Sequence, residues 1–146
     1  SNRSNLAGVR AGFYAGDRDV VGFLRSVRQH AGLMVPGPVQ EAVAAAYRDD
    51  EHVVAQRAIY ERRLTIVREA LNAAGVNTPE PEGTFYLWGE GVEGDGFATA
   101  QMLAERSGLV VSPGELYGEA GRRFIRLAVV QSDERLMLAA DRLTTS

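Results

Sequence analysis

The side chains able to do polar chemistry here are almost all arginines. The chain has sixteen of them and no lysine, no cysteine and two histidines. Two arginines stand in unusual settings. Arg10 is framed by small residues in Gly8-Val9-Arg10-Ala11-Gly12, and Arg126 sits between Ile125 and Leu127 in an apolar run. A guanidinium keeps its charge at any working pH and offers a planar fork of donors to a carboxylate or phosphate. At Arg126 the apolar flanks make an unpaired charge costly, so the residue either turns to solvent by strand alternation or holds an anion. Arg10 reads, on its residues alone, as an arginine paired with a carboxylate at a strand end. Missing groups exclude other chemistry. Without lysine no side chain can link covalently to a carbonyl group through an amine, and without cysteine there is no disulfide, thiolate nucleophile or thiolate metal site. His30 and His52 have no partners at ligand spacing, so no metal site is expected. The glycine-dense run from Gly89 to Gly96 lacks the Gly-Lys-Ser/Thr ending of a phosphate loop and carries three carboxylates that would repel phosphate, so it reads as a surface loop.

The elements that must carry these residues follow from periodicity and turn chemistry. Residues 9–15 predict a short strand and turn ending at Gly16-Asp17, with Asp17 capping a helix over 18–30 whose Val20, Val21, Leu24 and Val27 recur at helical spacing. Pro36-Gly37-Pro38 breaks regularity. A long helical pattern starts at Val39, with Asp49-Asp50 as its point of interruption, and runs to Gly75. Arg57, Arg62, Arg63 and Arg68 on it read as a solvated face. Thr84 to Trp88 predicts a strand whose aromatic Tyr86 and Trp88 pack a core. A helix over 97–106 with Ala98, Met102 and Leu103 buried, a short strand over 108–111, a last strand over 123–130 and a closing helix from Asp133 complete the chain. The order predicts an α+β layer of helices on a small antiparallel or mixed sheet.

Size and charge set the outer limits. The length, 146 residues, suffices for a real core. The net charge of −3 argues against a nucleic-acid partner, and no apolar run is long enough to span a membrane. No leader pattern opens the sequence; with the absence of cysteine, this leads us to expect a cytoplasmic protein.

The opening residues, Ser1-Asn2-Arg3-Ser4-Asn5-Leu6-Ala7 followed by the Gly-x-Arg-x-Gly run at 8–12, resemble the signature that follows the cofactor-binding lysine in class I/II aminotransferases. These are fold-type-I enzymes that use pyridoxal phosphate. Further landmarks of that family follow in order: Pro38-Val39-Gln40 ahead of an Ala-rich helix, Pro81-Glu82-Gly83-Thr84-Phe85-Tyr86-Leu87-Trp88, Val111-Ser112-Pro113-Gly114 and Phe124-Ile125-Arg126-Leu127. Arg3 to Gly8 together with Phe124 to Ala128 resemble the actinobacterial succinyldiaminopimelate aminotransferases. The resemblance implies the small C-terminal domain of the fold, preceded by a long interdomain helix: residues 1–37 as the last piece of the large cofactor-binding domain and 38–146 as the long helix plus the small domain. It implies that Arg10 and Ser1 bind the cofactor phosphate, that Arg126 binds the substrate α-carboxylate, and that the substrates are an amino acid and a 2-oxo acid. It also implies a homo-oligomer, a dimer, an expectation reinforced by the apolar surface that the missing large domain would leave bare.

One central residue departs from the pattern. The cofactor lysine falls at position 2, which is Asn2, so no catalytic residue is assigned and no pyridoxal phosphate is expected to be held by this chain alone. Ser1-Asn2 as a remnant of a cleaved tag, a genuine Lys→Asn divergence and a truncated gene all stay open. So do a lyase of the same fold type and a non-catalytic remnant or interaction domain.

Overall fold

The structure, a computed structural model, describes residues 3–145. The chain forms two compact units, Ser1–Arg57 and Ala58–Ser146, with the boundary inside one helix.

The N-terminal unit starts with a 3-10 turn, Ala7–Val9, and continues irregularly to Asp17. The strand expected over 9–15 is therefore absent: these residues have no ladder partner, and Arg10 adopts a left-handed φ of 53° that extended pairing forbids. Helix α1 (Arg18–His30) begins where Asp17 accepts from the backbone N–H groups of Asp19 and Val20, each at 3.0 Å. Helix α2 (Gly37–Arg48) carries Pro38 in its first turn, where a missing N–H costs nothing. The interruption at Asp49-Asp50 is real. Asp49 accepts from the Glu51 N–H at 2.9 Å and opens α3 (Glu51–Ala73). Arg3 bonds the Ala46 carbonyl at 2.8 Å and pairs with Asp50, tying the start of the described chain to the α2–α3 junction.

The C-terminal unit is built on a three-stranded antiparallel sheet in the order β1-β3-β2. Its strands are β1 (Tyr86–Glu90), β2 (Ser112–Pro113) and β3 (Phe124–Ala128), with α4 (Gly96–Ser107) and α5 (Asp133–Thr144) between and after them. Leu87 on β1 and Ile125 and Leu127 on β3 face a core that also holds Leu64, Val67 and Leu71 of α3, Leu103 of α4, and Leu136 and Leu143 of α5. The alternate residues, Trp88, Phe124 and Arg126, share the other face of the sheet.

Several boundaries and faces differ from expectation. The first strand is displaced toward Glu90 because Thr84 takes a left-handed φ of 81° and turns the chain before Tyr86. The strand expected over 108–111 is the two-residue β2 instead, since Gly108 is spent as the left-handed cap of α4. In α4 the buried residues are Gly96, Thr99, Ala100, Leu103 and Ser107, while Met102 is half-buried and Ala98 is exposed. The Gly89–Gly96 run is not simply a surface loop: Gly89, Gly91 and Gly96 are buried, and a Cβ on Gly96 would lie 2.1 Å from the Phe124 carbonyl oxygen. Arg62 and Arg63 do not simply face solvent either, since both clamp Asp133 at the head of α5.

Candidate functional site

Arg126 stands at the centre of β3, directly opposite Trp88 on one side and Ser112 on the other. Its guanidinium carbon lies 4.5 Å from the ring centroid of Tyr86 and 4.5 Å from that of Tyr117. Tyr86 is the diagonal neighbour on β1, a separation that long side chains bridge. Tyr117 comes from the 3-10 turn Gly114–Tyr117 that follows β2. That turn doubles back so tightly that a Cβ on Gly114 would meet the Gly121 carbonyl oxygen at 2.2 Å, and the reverse holds at Gly121. Only glycines permit this closure, and the closure presents Tyr117 over the sheet. Trp88 braces Tyr117 edge-on at 5.8 Å and stacks on Phe124 at 5.6 Å. Among the described residues no carboxylate pairs with Arg126 and none of its guanidinium N–H groups is engaged in a hydrogen bond. The aromatic attraction uses the ring quadrupoles and leaves the donor fork available.

The expectation that Tyr86 and Trp88 pack a core is corrected here. They lie on the face opposite the core, Trp88 is 37% exposed, and Tyr86 packs against the arginine. Alternation along β1 assigns them to one face; it could not say which face was covered. Tyr117 escaped the sequence reading altogether. Its only signal was the glycine spacing at 114, 118 and 121 that closes its turn. Arg126 also borders a cleft of about 520 Å³ shared with Ser112, Gln131, Arg135 and Arg142. In that cleft Arg135 donates to Gln131 Oε1 at 3.3 Å and Arg142 to the Ser107 carbonyl at 3.2 Å, so both are engaged within the protein.

Arg10 is separate from this and belongs to the N-terminal unit. It is exposed, its Nη1 donates to the Ala7 carbonyl at 3.2 Å, and no carboxylate pairs with it among the described residues. A left-handed conformation at a residue other than glycine costs about 1 kcal/mol. The Arg10 backbone carries that cost while its side chain gains one exposed hydrogen bond. It lines an open cleft of about 620 Å³ with Tyr14, Arg25, Arg28, Gln40 and Tyr47. The donor set fits a phosphate dianion, whereas the aldehyde end of pyridoxal phosphate meets no primary side-chain amine in a chain without lysine. Ser1 and Asn2 lie outside the described residues.

The two histidines bond to neighbours on their own helices or helix starts. His52 Nδ1 lies 2.8 Å from Asp49, and that hydrogen bond, helped by the Glu51 N–H, lowers the Asp49 carboxyl below its ordinary value. His30 Nδ1 lies 2.8 Å from the Ser26 carbonyl oxygen of its own helix. Among the described residues no cluster of histidine and carboxylate side chains could hold a metal, and no helix is long and apolar enough to cross a membrane.

The chain is similar to known proteins in sequence and in fold. A 4-dedimethylamino-4-oxo-anhydrotetracycline transaminase of Streptomyces rimosus is 46% identical over 99% of this chain, which covers 40% of that protein. An LL-diaminopimelate aminotransferase of Gloeobacter violaceus is 33% identical over 98% of the chain and 37% of its own length. The crystal structure of an aminotransferase from Neisseria meningitidis superposes with a TM-score of 0.84 at 30% identity, covering 99% of this chain and 38% of the other. The chain thus spans about two fifths of the length of the first of these relatives, and its architecture is that of the C-terminal part of fold-type-I aminotransferases. The profile for aminotransferase class I and II, a family that uses pyridoxal phosphate, matches residues 1–143, and the chain belongs to that family.

Proposed function

We propose that this chain is the C-terminal part of a pyridoxal-phosphate-dependent transaminase, in which Arg126 receives the α-carboxylate of an amino acid or 2-oxo acid and Arg10 the cofactor phosphate. The observation that carries the reading is Arg126 itself: a cation on an open sheet face, held by rings and leaving its hydrogen-bond fork unused. Pyridoxal phosphate, when bound, supplies the electron sink for amino-group transfer. The work of this chain's own residues is binding and orientation. Arg126 would grip the one group that all amino and 2-oxo acids share, and so leave the substrate's side chain free to differ. Arg10 would anchor a dianion without taking part in proton transfer, since guanidinium does not deprotonate. Residues 1–37 belong, on this reading, to the large domain and 38–146 to the long helix and small domain. Ser1 would sit beside the lysine position.

The finer substrate we favour is N-succinyl-diaminopimelate, or a diaminopimelate-type amino acid. This rests on the resemblance of Arg3 to Gly8 and Phe124 to Ala128 to enzymes acting on it, and on the 33% identity to an LL-diaminopimelate aminotransferase. We also propose self-association, as a dimer, through the apolar residues that the N-terminal unit leaves exposed, Phe13, Phe23 and Leu33 among them. A strictly monomeric mass by light scattering at high concentration would overturn that part.

A second reading has its own support. The chain has no lysine, and Asn2 stands at the cofactor-lysine position, which favours a catalytically silent form. The gene sequence immediately upstream of Arg3, with an activity assay on the protein it encodes, separates the two. A Ser-Lys pair there, and conversion of an amino acid to its 2-oxo acid that is lost in Arg126→Gln, is the expected outcome. An encoded Asn at that place, with no conversion of any amino acid tested, would leave the silent form as the correct reading.

A further inference from the structure

We infer that Tyr86 and Tyr117 are positioning residues for Arg126: together they fix the guanidinium on the open face of the sheet so that its donor fork is presented to a carboxylate. The inference rests on the proposed role of Arg126 and adds to it the residues that aim it. Several observations meet here. The guanidinium carbon is equidistant, at 4.5 Å, from two ring centroids contributed by different elements. No acidic residue among those described competes for the fork. Both rings are themselves restrained. Tyr86 is carried by the ladder to β3, with Ala128 as its direct partner. Tyr117 is held by Trp88 at 5.8 Å and by a turn that closes only because positions 114 and 121 are glycine.

The physical reason for using rings follows from what the fork must do. An arginine has many rotamers, and ordering it when a ligand arrives weakens binding. A carboxylate partner would order it in advance but would occupy the donors and neutralise the charge. An aromatic ring attracts the cation through its face and accepts no strong N–H hydrogen bond, so the side chain is ordered with its charge and donors intact. Two rings on two elements restrict both tilt and rotation, which a single ring does not.

The test uses the chain itself and propionate, a monocarboxylate, followed through the arginine side-chain signals of labelled protein. In the wild type the Arg126 δ protons should be shielded by the two rings, and propionate should shift the Arg126 Nε–H saturably. Tyr117→Leu and Tyr86→Leu should each lose part of the shielding and weaken propionate binding about threefold, and the double variant about tenfold. Tyr117→Phe and Tyr86→Phe should retain wild-type behaviour, because the ring and not the hydroxyl acts. Tyr117 is half exposed on a turn, so its leucine variant folds even where Tyr86→Leu does not. All these variants keep the same net charge, so simple electrostatic attraction predicts no change among them. If the leucine variants bind propionate as tightly as the wild type, and Arg126→Gln abolishes binding, the positioning role is wrong while Arg126 remains the carboxylate receptor. If the shielding is present but propionate shifts nothing in the wild type, the receptor role of Arg126 fails and the positioning role with it.

Discussion

The two units of this chain solve the problem of burying apolar surface to very different degrees. In the C-terminal unit a small sheet supplies one flat apolar face, and α3, α4 and α5 close over it, leaving Leu71, Leu87, Leu103, Ile125 and Val129 fully buried. In the N-terminal unit no described residue is buried. Helix α1 carries Val20, Phe23, Leu24 and Val27 at helical spacing, as good an amphipathic stripe as any in the chain, and Phe23 remains 67% exposed. Periodicity therefore reports which face of a helix is meant to be covered; it does not report that a cover is present. Phe13 and Tyr47 make an edge-on ring contact at 5.3 Å, but a pair of rings is not a core.

The sharpest way to break this comparison is hydrogen exchange. In solution dilute enough to dissociate the proposed dimer, amides of β1, β3 and the second half of α3 should exchange about a thousandfold more slowly than those of α1 and α2, because the former open only with the core. Equal protection in the dissociated chain would show that the N-terminal unit covers its own apolar stripe. A smaller effect is expected from truncation. Leu87→Ala, at a fully buried site, should destabilise the C-terminal unit by about 3 kcal/mol. Phe23→Ala, on the exposed stripe of the other unit, should change the C-terminal unit's urea transition by less than about 0.5 kcal/mol in the dissociated chain. The single tryptophan, Trp88, lies on the sheet and reports this unfolding.

The turn that carries Tyr117 offers an intermediate case. Gly114→Ala places a Cβ against the Gly121 carbonyl oxygen and should cost about 1–3 kcal/mol, with a change in Trp88 fluorescence as Tyr117 moves away. An unchanged spectrum and midpoint would show that the turn opens without cost. The smallest effect concerns acid. Asp133 is held below its ordinary value of 3.8, chiefly by the Arg63 hydrogen bond, with the charges of Arg62 and Arg63 adding to it. A depressed folded value means that the linked stability is present above the unfolded value and is lost as pH falls through the folded one. Asp133→Asn should therefore flatten the acid limb of the C-terminal unit below pH 3.8. Asp49→Asn, whose carboxyl is lowered by His52 in the other unit, should leave that limb unchanged.

Much of the fold could be read from residue order. Asp17 capping α1 and the break at Asp49-Asp50 depend on local hydrogen bonds and backbone preferences that a few neighbouring residues decide, whereas Asp133 at the head of α5 is held by Arg62 and Arg63 from a distant helix. Strand limits were less legible. Thr84 adopts left-handed backbone against the preference of its β-branched type, and Gly108, whose type allows that conformation, is used to cap α4 and not to start a strand. The same holds for the site. The sequence alone determined that Arg126 is a fixed charge among apolar neighbours and that no amine is available in this chain, because those are properties of residue types. Tertiary structure alone decided that Trp88 and Tyr86 face away from the core, and that Tyr117, remote from Arg126 along the turn, reaches the same guanidinium. The physical reason is that a strand's alternation defines two faces without saying which is covered, and ring contacts between separate elements depend on how the chain folds back, which local periodicity does not encode.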